Sequence, residues 1–253
     1  MRRHLDNFII GVAGLSVIIL VWHLLTTYGV VSRIFVPTPL ATIEALRRGF
    51  ASGVLISQTQ ATVLLMIQGW LLASAVAIFL GVLIGVWPAA RRALEPLLEF
   101  IRPLPASAII PVAVALFGLT PHMILGVVTF GSLWPTLLAT VHGVSTVEPR
   151  LEEVARALGM SRLSFIWKIG LPNAVPDILS GMRLSLTFSF ILAIVTEMLA
   201  GENGLGTAIL LAGRLFRSPD IFAGLLVLAL IGLVSNSMLQ AVERRLLRWR
   251  ANG

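Results

Sequence analysis

Long stretches without a charged side chain constrain this sequence more than any other feature. Residues 7–32, 49–90 and 103–147 contain no Asp, Glu, Lys or Arg, and the last two runs are 42 and 45 residues long. A helix needs about 20 apolar residues to cross the hydrocarbon core of a bilayer. The composition agrees, because only 12% of residues are charged against roughly 25% in soluble domains. The sequence therefore predicts an integral membrane protein and excludes a soluble enzyme.

The predicted fold class is all-α, a polytopic membrane protein with six transmembrane helices. Gly and Pro divide the long runs, since both residues punctuate turns and Pro is favoured at a helix start. A cleavable signal peptide is the competing interpretation of the first span. The apolar region of the first span is too long for a signal peptide, and no small-residue cleavage site followed by polar sequence comes after it. The predicted spans cover residues 7–30, 55–87, 93–118, 121–143, 176–200 and 221–243.

Lys and Arg residues are shared unequally between the two sides of these spans. With the N-terminus inside, 13 of the 19 lie on inner segments and five on outer segments, while Arg183 falls within the fifth span. Cytoplasmic loops carry the excess of positive charge in membrane proteins. Both termini are therefore predicted to be cytoplasmic. The arginines lie between apolar blocks rather than on one solvated face, so no nucleic-acid partner is expected.

Residues 37–50 form a short amphipathic segment between the first two spans. Thr38 can cap a helix that begins with Pro39, and four apolar residues follow at near-helical spacing. Two arginines near its end would face lipid headgroups. We predict a helix that lies in the outer membrane interface.

Residues 145–175 are the predicted cytoplasmic connection between the fourth and fifth spans, and they are long for a linker. Their pattern predicts two short helices. The first begins at Pro149 and ends at Gly159, which supplies the left-handed C-terminal residue. The second begins after Ser161 and ends at Leu171-Pro172. Each helix has an apolar stripe, and such exposed stripes predict a partner surface that covers them.

The spacing of this segment resembles the EAA loop of ABC-transporter importer permeases. Residues 153–155 read Glu-Val-Ala, Gly159 follows after three residues, and residues 169–172 read Ile-Gly-Leu-Pro. Val at the second position is a small departure from the usual Ala. Two further stretches, residues 99–105 and 197–206, resemble the sulfonate, taurine and nitrate branch of type I importer permeases. The resemblance extends over essentially the whole chain.

This resemblance implies a homodimeric pore in a bacterial inner membrane. Two cytoplasmic ABC ATPase subunits would drive it, and an external solute-binding protein would deliver a small organic anion such as a sulfonate, taurine, a nitrate-like ion or an aromatic acid. ATP and Mg would be used by the ATPases, and this chain would bind no cofactor or metal. The residues implied to couple it to the ATPases are Glu153, Val154, Ala155, Leu158, Gly159, Ile169, Leu171 and Pro172.

The residues themselves agree that hydrolysis belongs elsewhere. A phosphate-binding P-loop needs Gly-Lys-Ser/Thr, and the only lysine, Lys168, is followed by Ile169. The four histidines form no His-Glu-x-x-His pattern. The chain is therefore predicted to be a permease subunit and not an enzyme.

Small polar residues on the fourth and fifth spans leave two interpretations open. Interhelical hydrogen bonding is their commoner role in membrane bundles, and lining of a translocation path is the alternative. Arg183 is expected to extend to the cytoplasmic interface. Glu197, near the outer end, is either a structural partner of the following turn or part of a gate. The path candidates are Ser185, Ser189, Thr196, Glu197, Thr129 and Ser132.

Two other functions remain as alternatives to an importer permease. A secondary transporter would need internal repeats and acidic residues near the midplane, and the sequence shows no clear repeat. A non-transporting membrane assembly protein would not need polar faces in its spans. Copurification with an ATPase subunit distinguishes these alternatives.

Overall fold

The computed structural model describes residues 2–101 and 105–247, and every regular element in those residues is a helix. The fold class is therefore all-α, as predicted. The helices are α1 (Arg2–Thr27), α2 (Pro39–Ala51), α3 (Val54–Val86), α4 (Pro88–Ile101), α5 (Ala106–Phe117), α6 (Pro121–Ser145), α7 (Pro149–Ala157), α8 (Arg162–Phe165), a π-helical segment (Ile166–Gly170), α9 (Leu171–Ala200), α10 (Leu205–Arg214) and α11 (Ser218–Leu246).

Four helical segments of the described chain are long and apolar enough to cross a membrane. They are Val54–Val86, Pro121–Ser145, Leu163–Ala200 and Ser218–Leu246, and they overlap the predicted second, fourth, fifth and sixth spans. Within α1, residues Ser16–Thr27 form a shorter apolar helix. The first predicted span remains a prediction.

The predicted third span, residues 93–118, is wrong as a single helix. The structure has α4 and α5 there, and their axes differ by 90°. Pro105 precedes α5 with an extended backbone (φ −67°, ψ 116°), which is the conformation that a proline-rich stretch favours over a continuing helix. The two helices can still serve as one broken span.

Residues 1–61 and 203–230 form one compact unit. In this unit the Trp22 indole donates a hydrogen bond to the carbonyl of Pro37 at 2.8 Å and stacks on Phe222. The predicted cap of α2 is confirmed, because Thr38 accepts a hydrogen bond from the Ala41 amide at 3.2 Å. The predicted apolar side of α2 points outward, with Leu40 exposed. Its place in a membrane interface remains a prediction.

Residues 62–202 and 231–253 form the second unit, and its packing depends on small residues. On α3 five of them recur every four positions, and the three glycines among them lie against α6. A Cβ atom on Gly81 would be 2.5 Å from Cβ of Thr140, and one on Gly69 would overlap Val128. Small residues allow such close backbone approach in membrane bundles. The five are Gly69, Ala73, Ala77, Gly81 and Gly85.

The same device joins α6 to α9. A Cβ atom on Gly181 would be 2.8 Å from the carbonyl oxygen of Pro135, and one on Gly143 would be 2.9 Å from Cβ of Ala174. The Asn173 amide also donates to the carbonyl of Gly143 at 3.2 Å. These contacts hold α6 and α9 along most of their length.

Candidate functional site

α7 ends in a hydrogen-bonded turn centred on Gly159. The amide of Met160 donates to the carbonyl of Ala155, and the amide of Gly159 donates to that of Arg156, both at 3.0 Å. These are the two bonds of a Schellman motif, whose residue after the cap adopts the left-handed conformation. Gly159 has φ +63°, so the predicted left-handed stop is confirmed. Among the described residues, a Cβ there would contact no atom within 4 Å.

The apolar side chains of this segment differ in burial. Ala155 is only 4% exposed, whereas Leu158 at the end of the helix is 72% exposed. Glu153 is exposed on the same helix, and the N-cap position is held by Glu148, which makes no capping hydrogen bond. α7 is too short to cross a bilayer, so its apolar residues need another cover. The exposed apolar residues here are Leu151, Val154, Leu158, Leu163 and Trp167.

The predicted second helix begins as expected but does not end at Leu171-Pro172. Ser161 accepts a hydrogen bond from the amide of Ser164 at 3.2 Å, which caps α8. From there the chain stays helical through the π segment into α9, so the fifth span does not start afresh at residue 176. The amide of Leu171 bonds to the carbonyl of Ile166 in place of an α-helical partner.

Pro172 explains this wide turn. Its ring has no amide hydrogen and would meet the carbonyl of Lys168 in a regular α-helix. A π turn is one way to accommodate such a residue without ending the helix. Ile169 and Leu171 are half-buried along this stretch, and Pro172 is exposed.

The structure buries five of the six path candidates and half-buries the sixth. Ser185 donates to the carbonyl of Ser132 at 2.5 Å across the contact of α6 with α9. Ser132, Ser189 and Thr196 bond carbonyls of their own helices, and Thr129 is half-buried. Of these contacts, only the bond of Ser185 to Ser132 is interhelical, and the others are intrahelical. In this conformation the side chains of Ser132, Ser185, Ser189 and Thr196 are buried.

Glu197 is 1% exposed and bonds another helix. The hydroxyl of Thr62 on α3 donates to Oε2 of Glu197 at 3.0 Å. The backbone carbonyl of Glu197 also accepts from the amide of Gly201, which ends α9 in the left-handed conformation. Its carboxylate therefore joins α9 to α3.

Arg183 forms an ion pair with Glu243 of α11. Both side chains are partly exposed. The guanidinium of Arg183 therefore has a carboxylate partner in addition to any contact at the membrane interface. Sequence reasoning predicted only an interfacial position for Arg183, because its partner lies 60 residues later.

An apolar groove of about 490 Å³ opens between α5 and α6. Its wall is mostly aliphatic and aromatic, with Thr120 and His122 as its polar members. Gly126 lies in this wall, and a Cβ there would contact no atom of the described residues within 4 Å. In the described part of the chain, no group of three or more His, Asp or Glu side chains is arranged to hold a metal ion.

Sequence reasoning missed three of these features. The small residues of α3 at every fourth position were available as a signal. The π segment carried a weaker signal, which is a Pro inside a run of residues that otherwise predicts a helix. No local pattern signals the contact of Thr62 with Glu197, which are 135 residues apart.

Residues 73–248 match the family described as binding-protein-dependent transport system inner membrane component. The chain is 31% identical over 235 residues to the putative aliphatic sulfonates transport permease protein SsuC of Bacillus subtilis, covering 93% of this chain and 85% of that one. It is 28% identical over 245 residues to the taurine transport system permease protein TauC of Escherichia coli, covering 95% and 89% of the two chains.

The fold is also similar to a solved structure. A chain of the MetNI methionine ABC transporter, in an inward-facing conformation, superposes with a TM-score of 0.68 and 16% sequence identity. The match covers 78% of this chain and 97% of that one. At this identity the likeness concerns the fold, which is that of a type I importer permease.

Proposed function

Because the chain belongs to the family of binding-protein-dependent transport system inner membrane components, we propose that it is the permease subunit of an ATP-driven ABC importer. Two copies form the path, two cytoplasmic ABC ATPases bind beneath it, and an external binding protein delivers the solute. ATP and Mg act in the ATPases. The protein lies in the inner membrane with both termini in the cytoplasm.

The observation that carries this proposal is the exposed apolar surface of α7 and α8. A nine-residue helix that presents Leu151, Val154 and Leu158 to solvent is unfavourable on its own. An ATPase groove that receives this surface would cover it. The Schellman turn at Gly159 then joins the docked helix to α8, the π segment and α9, so motion of the ATPases reaches a membrane helix without a flexible linker.

The translocation path is proposed to lie on surfaces that one chain leaves open. The groove between α5 and α6 is such a surface, whereas the path candidates Ser185, Ser189, Thr196, Glu197 and Ser132 are buried. In this structure those residues are buried inside the bundle, so a path role would require α6 and α9 to separate. A groove with mainly apolar walls favours a solute with an organic part.

The solute class is proposed from the relatives as a small organic anion, with sulfonates and taurine foremost. We expect the external binding protein to make most of the distinction among solutes. The absence of a cationic side chain from the α5–α6 groove fits a path that does not retain an anion tightly.

The deciding experiment is reconstitution of the permease with its ATPase subunits in lipid nanodiscs and proteoliposomes. We expect the ATPases to copurify with it, and the solute-loaded binding protein to stimulate ATP hydrolysis and uptake. Uptake driven by an ion gradient without ATP would instead identify a secondary transporter. Stable assembly without any solute uptake would identify an assembly protein.

Gly126→Leu tests the path. The substitution adds a side chain to the open groove without a contact inside the chain, so we expect slower uptake with normal ATPase retention. Gly131→Leu is the matched control on the same helix, because a Cβ at Gly131 would already be 2.5 Å from Cβ of Ala106. That variant should lose folded protein. Wild-type uptake by Gly126→Leu would remove the groove from the path.

A further inference from the structure

The turn between α10 and α11 repeats the hydrogen bonds that end α7. The amide of Arg217 donates to the carbonyl of Ala212 at 2.9 Å, and the amide of Phe216 donates to that of Gly213 at 3.1 Å. These are again the two bonds of a Schellman motif. The residue at the left-handed position is Phe216, with φ +53°, and it is the one residue other than glycine with a positive φ among the described residues.

Phenylalanine is a poor choice for this position. Its Cβ strains the left-handed backbone, a cost that glycine avoids. Burial of the ring inside the chain could offset that strain, but Phe216 is 69% exposed. An exposed residue that breaks a local rule without compensation inside the chain indicates a contact outside it.

The surroundings of Phe216 indicate the chemistry of that contact. Leu215 beside it is also exposed, and Arg214 and Arg217 flank the pair. Neither arginine has an ion-pair partner in the described part of the chain. Phe216 lies two residues before α11, a helix long and apolar enough to span a bilayer. The end of such a helix lies at the level of the lipid headgroups.

We infer that the α10–α11 turn, residues Arg214–Arg217, is a lipid anchor in which the Phe216 ring enters the boundary between headgroups and acyl chains while Arg214 and Arg217 bind lipid phosphates. Aromatic and aliphatic side chains with neighbouring arginines suit this boundary. Contact with lipid would then offset the strain at Phe216. This inference needs the membrane location of the chain and does not depend on the solute, on ATP or on the partner subunits.

Two substitutions distinguish the effect of the backbone strain from that of the ring contact. Both are made in the full-length permease, which is placed in nanodiscs of phosphatidylethanolamine and phosphatidylglycerol. Phe216→Ala removes the ring and keeps the strain, whereas Phe216→Gly removes both. If lipid contact offsets the strain, the apparent Tm of wild type is at least that of Phe216→Gly, and Phe216→Ala lies below both by about 2–4 °C. If the ring touches nothing, Phe216→Gly exceeds wild type and Phe216→Ala equals it. That order would overturn the inference.

The second measurement identifies what the turn touches. The chain has no cysteine, so Phe216→Cys provides a single labelling position for a fluorophore. A nitroxide on the lipid near the headgroup should quench this label at least about twofold more than a label on Glu153→Cys, because an anchored turn lies within the interface. Glu153 is the control since it is exposed on α7, eight residues beyond the end of the α6 span.

Equal quenching at the two positions would contradict a lipid anchor. So would fluorescence that ignores the lipid nitroxide and changes only when the external binding protein is added, or only when a second permease copy is present. Those results would assign the turn to a protein partner. Replacing phosphatidylglycerol with phosphatidylcholine should reduce the quenching difference, and Arg214→Gln with Arg217→Gln should remove that dependence on anionic lipid.

Discussion

α7 and α10 end in turns with the same two backbone hydrogen bonds, but the residue at the left-handed position differs. α7 has Gly159 there and α10 has Phe216. Glycine adopts the left-handed conformation without strain, so the α7 turn needs no stabilising contact outside the chain. Its exposed leucines are therefore available to form a docking surface. Phenylalanine leaves strain in the second turn. Under the two proposals, the same local geometry belongs to a coupling joint at the end of α7 and to a lipid anchor at the end of α10.

The largest effect is expected when the α7 turn is given the kind of strain that the α10 turn tolerates. Gly159→Val places a branched side chain at φ +63°, which costs about 1 kcal/mol or more and misdirects α8. We expect at least about a fivefold loss of uptake, since 1.4 kcal/mol corresponds to tenfold and about 1 kcal/mol to about fivefold. Solute-stimulated ATP hydrolysis should fall with it, while membrane levels stay normal.

Gly159→Asn is the control, because Asn tolerates the left-handed conformation better than other residues with a Cβ. It should keep most of the activity. If the valine variant transports at the wild-type rate with ATPases bound, the α7 turn is not a coupling joint.

The two capping leucines test whether the turns face different partners. Leu158 and Leu215 hold the same position in the two motifs and are 72% and 61% exposed. Leu158→Glu should reduce ATPase retention during purification several-fold, because it places a charge in an apolar contact. Leu215→Glu should leave ATPase retention unchanged. Equal retention by both variants would contradict the assignment of the α7 surface to the ATPases.

The strain itself should be similar at the two turns. Gly159→Ala relative to wild type, and Phe216→Ala relative to Phe216→Gly, each place a Cβ at a positive φ where the glycine had none. We expect each alanine to lower stability by about 1 kcal/mol. Thermal unfolding of the four proteins in the same nanodiscs measures both differences. A penalty at only one turn would mean that the two backbones are not equivalent.

The smallest effect concerns the serine that follows each turn. Ser161 caps α8 through the amide of Ser164, so Ser161→Ala should destabilise that end by roughly 0.5–1 kcal/mol. Ser218 instead donates to the carbonyl of Arg33 at 3.1 Å. Hydrogen exchange of the following helix should therefore quicken in Ser161→Ala, whereas Ser218→Ala should affect the amides around Arg33.

The sequence was sufficient to predict the Gly159 turn and not the Phe216 turn. An apolar stripe that stops at a glycine and is followed by Ser161 is a recognised helix end. Phe216 carries no such signal, because nothing in the residue type indicates a left-handed backbone. The strain becomes visible only from the positive φ of Phe216 in the structure.

Burial was the other limit of prediction. The polar faces of the fourth and fifth spans follow from helical spacing, but spacing does not reveal which neighbour covers a face. Ser185 could have faced a path, and the structure shows that it faces the carbonyl of Ser132. The prediction that a helix ends at Pro172 was wrong for a different reason. Proline does oppose a regular helix, and the π segment is the accommodation that a pattern of residue types does not distinguish from a stop.

The continuity of the helix through the π segment makes it a long lever. Leu163–Ala200 contains 38 residues, and a rise of 1.5 Å per residue gives a rod of roughly 57 Å. Tilting a rod of that length by about one degree about one end moves the other end by roughly 1 Å. If the end at α8 is held fixed, a tilt of this rod by about one degree therefore moves the carboxylate of Glu197, near the other end, by roughly 1 Å. A tilt of that size is too small to disturb the packing of α6 on α9.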